Sequence, residues 1–153
     1  MNKVFHFDTS PEHYQCDAAV VWCIDARFHV GFSKFLKRIG ISRPDRIKIA
    51  GGAKALASPE RESEREFVLD QLQKSIQLHN TKLVILMVHS DCGGYGGLQA
   101  FGGNTRAEAE NHEAELRRAA DCVRQAVPGI AVQGYYMAFD GVWEVDLNAA
   151  TGS

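Results

Sequence analysis

The hydrophobic pattern changes period several times along the chain, and each change marks an element. Ala18 to Ile24 is an apolar, partly β-branched run ending on Asp25, as in a strand buried on both faces. Phe28, Phe32, Phe35, Leu36 and Ile39 then recur at helical spacing, and basic Lys37 and Arg38 followed by Gly40 close a short helix. Arg46 to Ala50 alternates weakly and runs into Gly51-Gly52, which predicts a short strand opening into a tight loop. Ser58, Pro59 and Glu60 read as N-cap, first-turn proline and dipole-matched acid of a second helix. Val68, Leu69, Leu72 and Ile76 give it an apolar face as far as about His79, and the charged run Glu60 to Glu66 gives it a solvated one.

Lys82 to Val88 is the clearest strand in the sequence. Gly93 to Gly103 holds six glycines and predicts an irregular loop. Thr105 and Glu108 form a capping box for a helix that aligns Leu116, Ala119, Ala120 and Val123 and stops at Pro128-Gly129. Ile130 to Phe139 and Val142 to Leu147 flank Asp140-Gly141, a strong hairpin signal, and Asn148 to Ser153 is expected to fray.

Strands alternating with helices predict an α/β fold: a mostly parallel four-stranded sheet flanked by helices, with an antiparallel edge strand. At 153 residues, a single domain spanning 1–153 is expected. In such sheets ligands gather at the carboxyl ends of strands.

Composition narrows the class. Lys plus Arg number 17 against 19 Asp plus Glu, and the net charge of -2 offers no footprint for nucleic acid or an anionic membrane. The apolar run ending at Val88 is far short of the ~20 residues that span a bilayer. Met1 to Asp8 lacks a sustained apolar region, so no signal peptide is read and the cytoplasm is expected. There, four cysteines are thiols or metal ligands rather than a disulfide framework.

Cys23, Asp25 and Arg27 lie in Trp22-Cys-Ile-Asp-Ala-Arg-Phe28, and His89 and Cys92 form a His-x-x-Cys pair after the Lys82–Val88 strand. Two thiolates and an imidazole suit tetrahedral zinc, one ion per chain, and leave the fourth corner free for water. In extended backbone Cys23, Asp25 and Arg27 leave on one side, so Arg27 can grip Asp25 close to the metal. Asp25 then either accepts a hydrogen bond from water or, released, takes the fourth position itself in a closed state. An ion pair bracing the strand end is the plain alternative. A structural zinc would recruit a fourth ligand, for which Cys16 is the candidate thiol. A thiol redox role is weaker, because Cys23 and Cys92 lack a Cys-x-x-Cys arrangement.

With these motifs in order, the chain resembles the β-class carbonic anhydrases. Cys23, Asp25 and Arg27 match the family's Cys-x-Asp-x-Arg motif, and His89, Cys92 and Gly93 its His-x-x-Cys-Gly motif. Ala50-Gly51-Gly52 is similar to its Ala-Gly loop, and Val132 to Tyr136 with Asp140-Gly141 to its closing region. The chain departs at Ala26, where serine is usual, and in having only a short segment before the first strand. The resemblance implies reversible hydration of carbon dioxide to bicarbonate by a zinc-bound hydroxide, with Asp25 and Arg27 catalytic, in a homodimer or larger homo-oligomer. Two thiolates cancel the charge of the ion, so activity favouring alkaline pH is expected.

Related readings keep the metal and change the electrophile to carbon disulfide or carbonyl sulfide, or make the protein a non-catalytic zinc or bicarbonate binder. Gly52, Gly93 and Gly94 are candidate substrate contacts, the last two through backbone amides or simply as a tight turn. Phe28, Tyr95 and Phe101 are either a pocket wall or core. His6, His13, His29, His79 and His112 are scattered and read as surface or satisfied histidines, a proton shuttle being the alternative for any one of them, and Cys16 and Cys122 read as small hydrophobes.

Overall fold

A strand with no polar side requires cover on both faces, and β1 (Ala18–Trp22) is buried at every position. The computed structural model describes residues 1–149. After β1 come α1 (His29–Arg38), β2 (Pro44–Lys48), α2 (Lys54–Ala57), α3 (Glu62–His79), β3 (Leu83–His89), α4 (Thr105–Ala126), β4 (Ala131–Ala138) and β5 (Gly141–Val145). They form one sheet in the order β2-β1-β3-β4-β5, parallel except for the antiparallel β4–β5 pair.

Strand alternation sorts the core into two layers. Ala19, Val21, Val84, Leu86 and Val88 face α2, α3 and α4 through Leu56, Val68, Leu72, Leu116 and Val123. Val20, Trp22, Ile85 and Met87 face the opposite side and pack on Phe28, Phe32 and Leu36 in and before α1. Trp22 and Phe32 stack with ring centroids 5.0 Å apart. Because β1 and β3 are adjacent and parallel, their carboxyl ends lie side by side. Among the described residues no helix is long and apolar enough to cross a membrane.

Several boundaries differ from the sequence reading, each for a local reason. The second strand begins at Pro44 rather than Arg46, because an edge strand tolerates proline at its first position. The glycine-rich segment contains two short 3-10 turns, Gly93–Tyr95 and Leu98–Phe101. Ser58 does not cap α3; its hydroxyl bonds the buried Glu115 carboxylate, and the helix starts at Glu62 with Arg61 as N-cap. The hairpin turn is Phe139-Asp140, since Gly141 pairs with Ala138 as a strand residue. A Cβ on Gly141 would stand 3.1 Å from the Trp143 ring, so glycine there makes room for the indole. Asn148 is tied down by its N–H to Asp146 and by Arg124, while the remainder of the tail expected to fray, 150–153, lies outside the described residues.

The expected capping box at Thr105 and Glu108 is absent. Asn104 is the cap, its Oδ1 accepting from the N–H groups of Arg106 (3.0 Å) and Ala107 (3.1 Å), and Glu108 is engaged elsewhere. Asn104→Ala is expected to cost about 1 kcal/mol and lower Tm by about 2–4 °C in a chain of this size. Calorimetry beside Thr105→Ala checks it: a larger loss from the threonine variant would reverse the assignment.

Candidate metal centre

Trp22 ends β1 and His89 ends β3, so the residues that follow emerge at the same edge of the sheet. Cys23 leaves directly from the first strand. Asp91, in the left-handed region at φ 52°, turns the chain after β3 so that Cys92 comes back toward it. The ligand atoms of Cys23, His89 and Cys92 all lie within 4.8 Å of one another, and all three residues are buried.

Two details test whether this cluster fits a metal ion. The Cys23 and Cys92 sulfurs are 3.8 Å apart; two thiolates bound at ~2.3 Å in tetrahedral geometry have about that spacing. His89 Nδ1 is 2.8 Å from the Ser90 carbonyl and donates to it, which leaves Nε2 a bare acceptor. That Nε2 is buried without a partner, a costly state that a cation would relieve. The thiols are primed in the same sense. Cys92 donates to Cys23 and lowers its pKa, while Cys23 and burial push Cys92 up, so one thiolate forms readily. Burial pushes His89 down, but Cys23, the Ser90 carbonyl and the Asp25 carboxylate together outweigh it and its pKa is raised.

Asp25 and Arg27 leave the strand rather than continuing it as extended backbone. Asp25 caps the 3-10 turn Ala26–Phe28 by accepting from the Arg27 N–H at 2.9 Å. Arg27 Nη2 and Nε also donate to its carboxylate, at 2.7 and 3.1 Å, and hold the Asp25 pKa down at about 2. Asp25 Oδ2 stands 3.9 Å from His89 Nε2, at the mouth of the ligand cluster.

The three glycines lie close by. Gly52 has φ 57°, and a Cβ there would stand 2.5 Å from the Met87 carbonyl oxygen and 3.1 Å from the Cys23 nitrogen. A Cβ on Gly94 would stand 2.7 Å from Gly51 Cα, and the Gly94 backbone offsets part of the rise that Cys23 and burial impose on the Cys92 thiol. Gly93 faces open space. Of the three aromatics, Phe28 packs on His89 with centroids 4.6 Å apart and on Phe139 at 5.1 Å. Tyr95 and Phe101 instead flank His112, and the Tyr95 hydroxyl donates to Glu115 at 3.0 Å.

Cys16 is no fourth ligand: it lies before β1, and its thiol donates to the Ala18 carbonyl at 2.9 Å. His79 is satisfied by Asp45 at 2.7 Å. His112 is neither exposed nor satisfied; it is fully buried with both ring nitrogens unpartnered, and burial lowers its pKa to about 4. In the sequence reading Asp91 has no role and Glu108 only that of a capping-box partner. Arg27 Nη1 donates to Asp91 Oδ2 at 2.9 Å, and Glu108 Oε1 accepts from the Asp91 N–H at 2.7 Å. A signal was present: Glu108, His112 and Glu115 fall on the face of α4 that carries Leu116, Ala119 and Val123, so polar groups occupy a buried stripe.

Fold and cluster together define a class, an α/β protein whose cysteine and histidine side chains, at the carboxyl ends of two parallel strands, can hold a metal ion. A family model described as "Putative carbonic anhydrase" matches residues 13–147, and the chain belongs to that family. An uncharacterized protein of Rickettsia conorii is 26% identical over 149 residues, covering 93% of this chain and 80% of the relative. The structure of a β-carbonic anhydrase from Trichomonas vaginalis superposes with a TM-score of 0.60 at 18% identity, covering 92% of this chain and 87% of that one. A carbon disulfide hydrolase in its apo form superposes at 0.54 with 15% identity, covering 83% and 77%.

Proposed function

We propose that this protein is a carbonic anhydrase, interconverting carbon dioxide and water with bicarbonate and a proton, with one zinc ion held by Cys23, His89 and Cys92. The observation that carries this reading is the orphaned, buried His89 Nε2 beside two sulfurs at tetrahedral-zinc spacing. Zinc in that position would supply Lewis-acid chemistry, lowering the pKa of water so that it can attack carbon dioxide as hydroxide.

The residues of the chain do the rest. Asp25, ionised well into acid because Arg27 holds it, accepts a hydrogen bond from the attacking water and orients its lone pair. With a pKa of about 2 it is too weak a base to keep the proton, which passes to solvent buffer. Arg27 denies Asp25 the metal and thereby keeps the fourth position open. A depression lined by Arg27, Phe28, Met137 and Phe139 gives carbon dioxide a partly apolar approach. Of Gly52, Gly93 and Gly94, Gly93 has the room to meet substrate directly, while the other two shape the pocket.

The chain works as a homodimer at least: Val4, Phe5 and Phe7 project into solvent from a segment without regular structure, and a second copy would cover them. Four free cysteines accord with a cytoplasmic address.

Stopped-flow hydration on zinc-quantified protein tests the reading. About one zinc per chain is expected, with a rate that rises through the alkaline range, because a doubly thiolate-ligated ion acidifies water less than the all-histidine site whose water has a pKa of about 7. A rate flat into mildly acidic pH would count against it. Stoichiometric zinc without hydration, but with sulfide released from carbon disulfide, would favour the second electrophile, which the likeness to the carbon disulfide hydrolase supports.

A further inference from the structure

Asp25 and Arg27 belong to one short segment, and their mutual hydrogen bonds say nothing about where the pair stands relative to His89 and Cys92 on the other strand. That tie comes from Asp91. Its Oδ2 accepts from Arg27 Nη1 at 2.9 Å and its carbonyl from Arg27 Nη2 at 3.0 Å, so the whole guanidinium fork is divided between two acids. Asp91 is itself fixed from two further directions. Its Oδ1 accepts from the Leu98 N–H at 2.9 Å, which anchors it to the glycine-rich segment, and a Cβ on Gly97 would stand only 3.0 Å from that oxygen. Its own N–H donates to Glu108 Oε1 at 2.7 Å, a carboxyl 1% exposed whose second oxygen has no partner. A non-glycine residue in the left-handed region costs roughly 1–2 kcal/mol, and the Glu108 hydrogen bond holds it there.

We infer that Asp91, set in place by Glu108, is the positioning residue that anchors Arg27 to the metal-bearing turn and so keeps the Asp25 carboxylate off the fourth metal position. This rests on the metal reading of Cys23, His89 and Cys92. Without Asp91, the Arg27 guanidinium loses its anchor on the metal-bearing turn and can swing away from Asp25, releasing that carboxylate. A carboxylate already 3.9 Å from His89 Nε2 is then drawn onto the cation. Asp91 and Glu108 therefore set the balance between open and closed sites without touching substrate.

The test is azide binding, by calorimetry, to the zinc-loaded protein, since azide needs the open position. Closure of nine sites in ten would weaken apparent affinity about tenfold. Asp91→Ala is expected to show that loss and Glu108→Ala a similar one, while Glu108→Gln, which keeps an acceptor for the Asp91 N–H, stays within about twofold of the wild type. Removing Asp25 as well is decisive: in the Asp25→Ala background, Asp91→Ala should no longer alter azide affinity, because no carboxylate remains to close the site. Unchanged affinity in Asp91→Ala, or a loss that persists without Asp25, overturns the inference and leaves the metal reading intact. Failure of the wild-type protein to bind zinc overturns both.

Discussion

Cys92→Ser is expected to leave a folded chain that loses its metal and hydrates carbon dioxide no faster than buffer. The substitution changes one buried atom, so the fold should survive it. The serine hydroxyl does not ionise near neutral pH and is a poor ligand beside a thiolate, so zinc affinity should fall by more than the ~10–100-fold typical of losing an outer-shell contact. The 3.8 Å sulfur pair would be reduced to a single thiol, and His89 Nε2 would again be buried without a partner. Zinc per chain after dialysis against a chelator, followed by stopped-flow hydration, measures both effects. Stoichiometric zinc with the wild-type rate in this variant would remove Cys92 from the site.

Gly52→Ala is expected to be the most damaging single methyl in the half of the molecule that carries Cys23, His89 and Cys92. At φ 57° the backbone already disfavours a side chain, and the added carbon would meet a carbonyl oxygen of β3 at 2.5 Å and the Cys23 backbone nitrogen at 3.1 Å. Neither neighbour can yield: the Met87 carbonyl accepts the Ala53 N–H, and both strands are central in the sheet. Strain together with a backbone clash is worth about 3–4 kcal/mol, or a fall in Tm on the order of 10 °C. Because the displaced atoms adjoin Cys23, zinc retention should fall with stability. Gly93→Ala, where a Cβ meets nothing, is the control for thermal unfolding. Equal melting temperatures for the two variants would show that Gly52 is not needed for packing.

The parts of the fold governed by long periodic patterns could be read in advance. β3 and the apolar faces of α3 and α4 follow from runs that tertiary packing only reinforces. Ends were less legible, because several polar groups could fill each cap and the choice depends on partners distant in sequence. Ser58 is a good N-cap in isolation, yet Glu115 claims its hydroxyl; Glu108 is a good box partner, yet the Asp91 N–H claims its carboxylate. The short helix α2 carries too little pattern to announce itself. At the site, the three residues that the structure gathers into one cluster can be picked out by type and spacing alone. Asp91 could not: it stands openly between His89 and Cys92, but its role arises from a contact with Arg27 across 64 positions.

Cys23 and Cys92 come within 3.8 Å across 69 positions, just beyond the ends of strands whose pairing cannot begin until β3 exists. An emerging chain that has completed β1 and Cys23 therefore still lacks His89 and Cys92, the other two members of the cluster. Loop closure over that length must be met by the apolar strands before any ligand pair can form. Order of assembly thus governs the cluster: the sheet register is chosen by Val20, Val21, Ile85 and Leu86, and Cys23, His89 and Cys92 meet only in a frame already drawn.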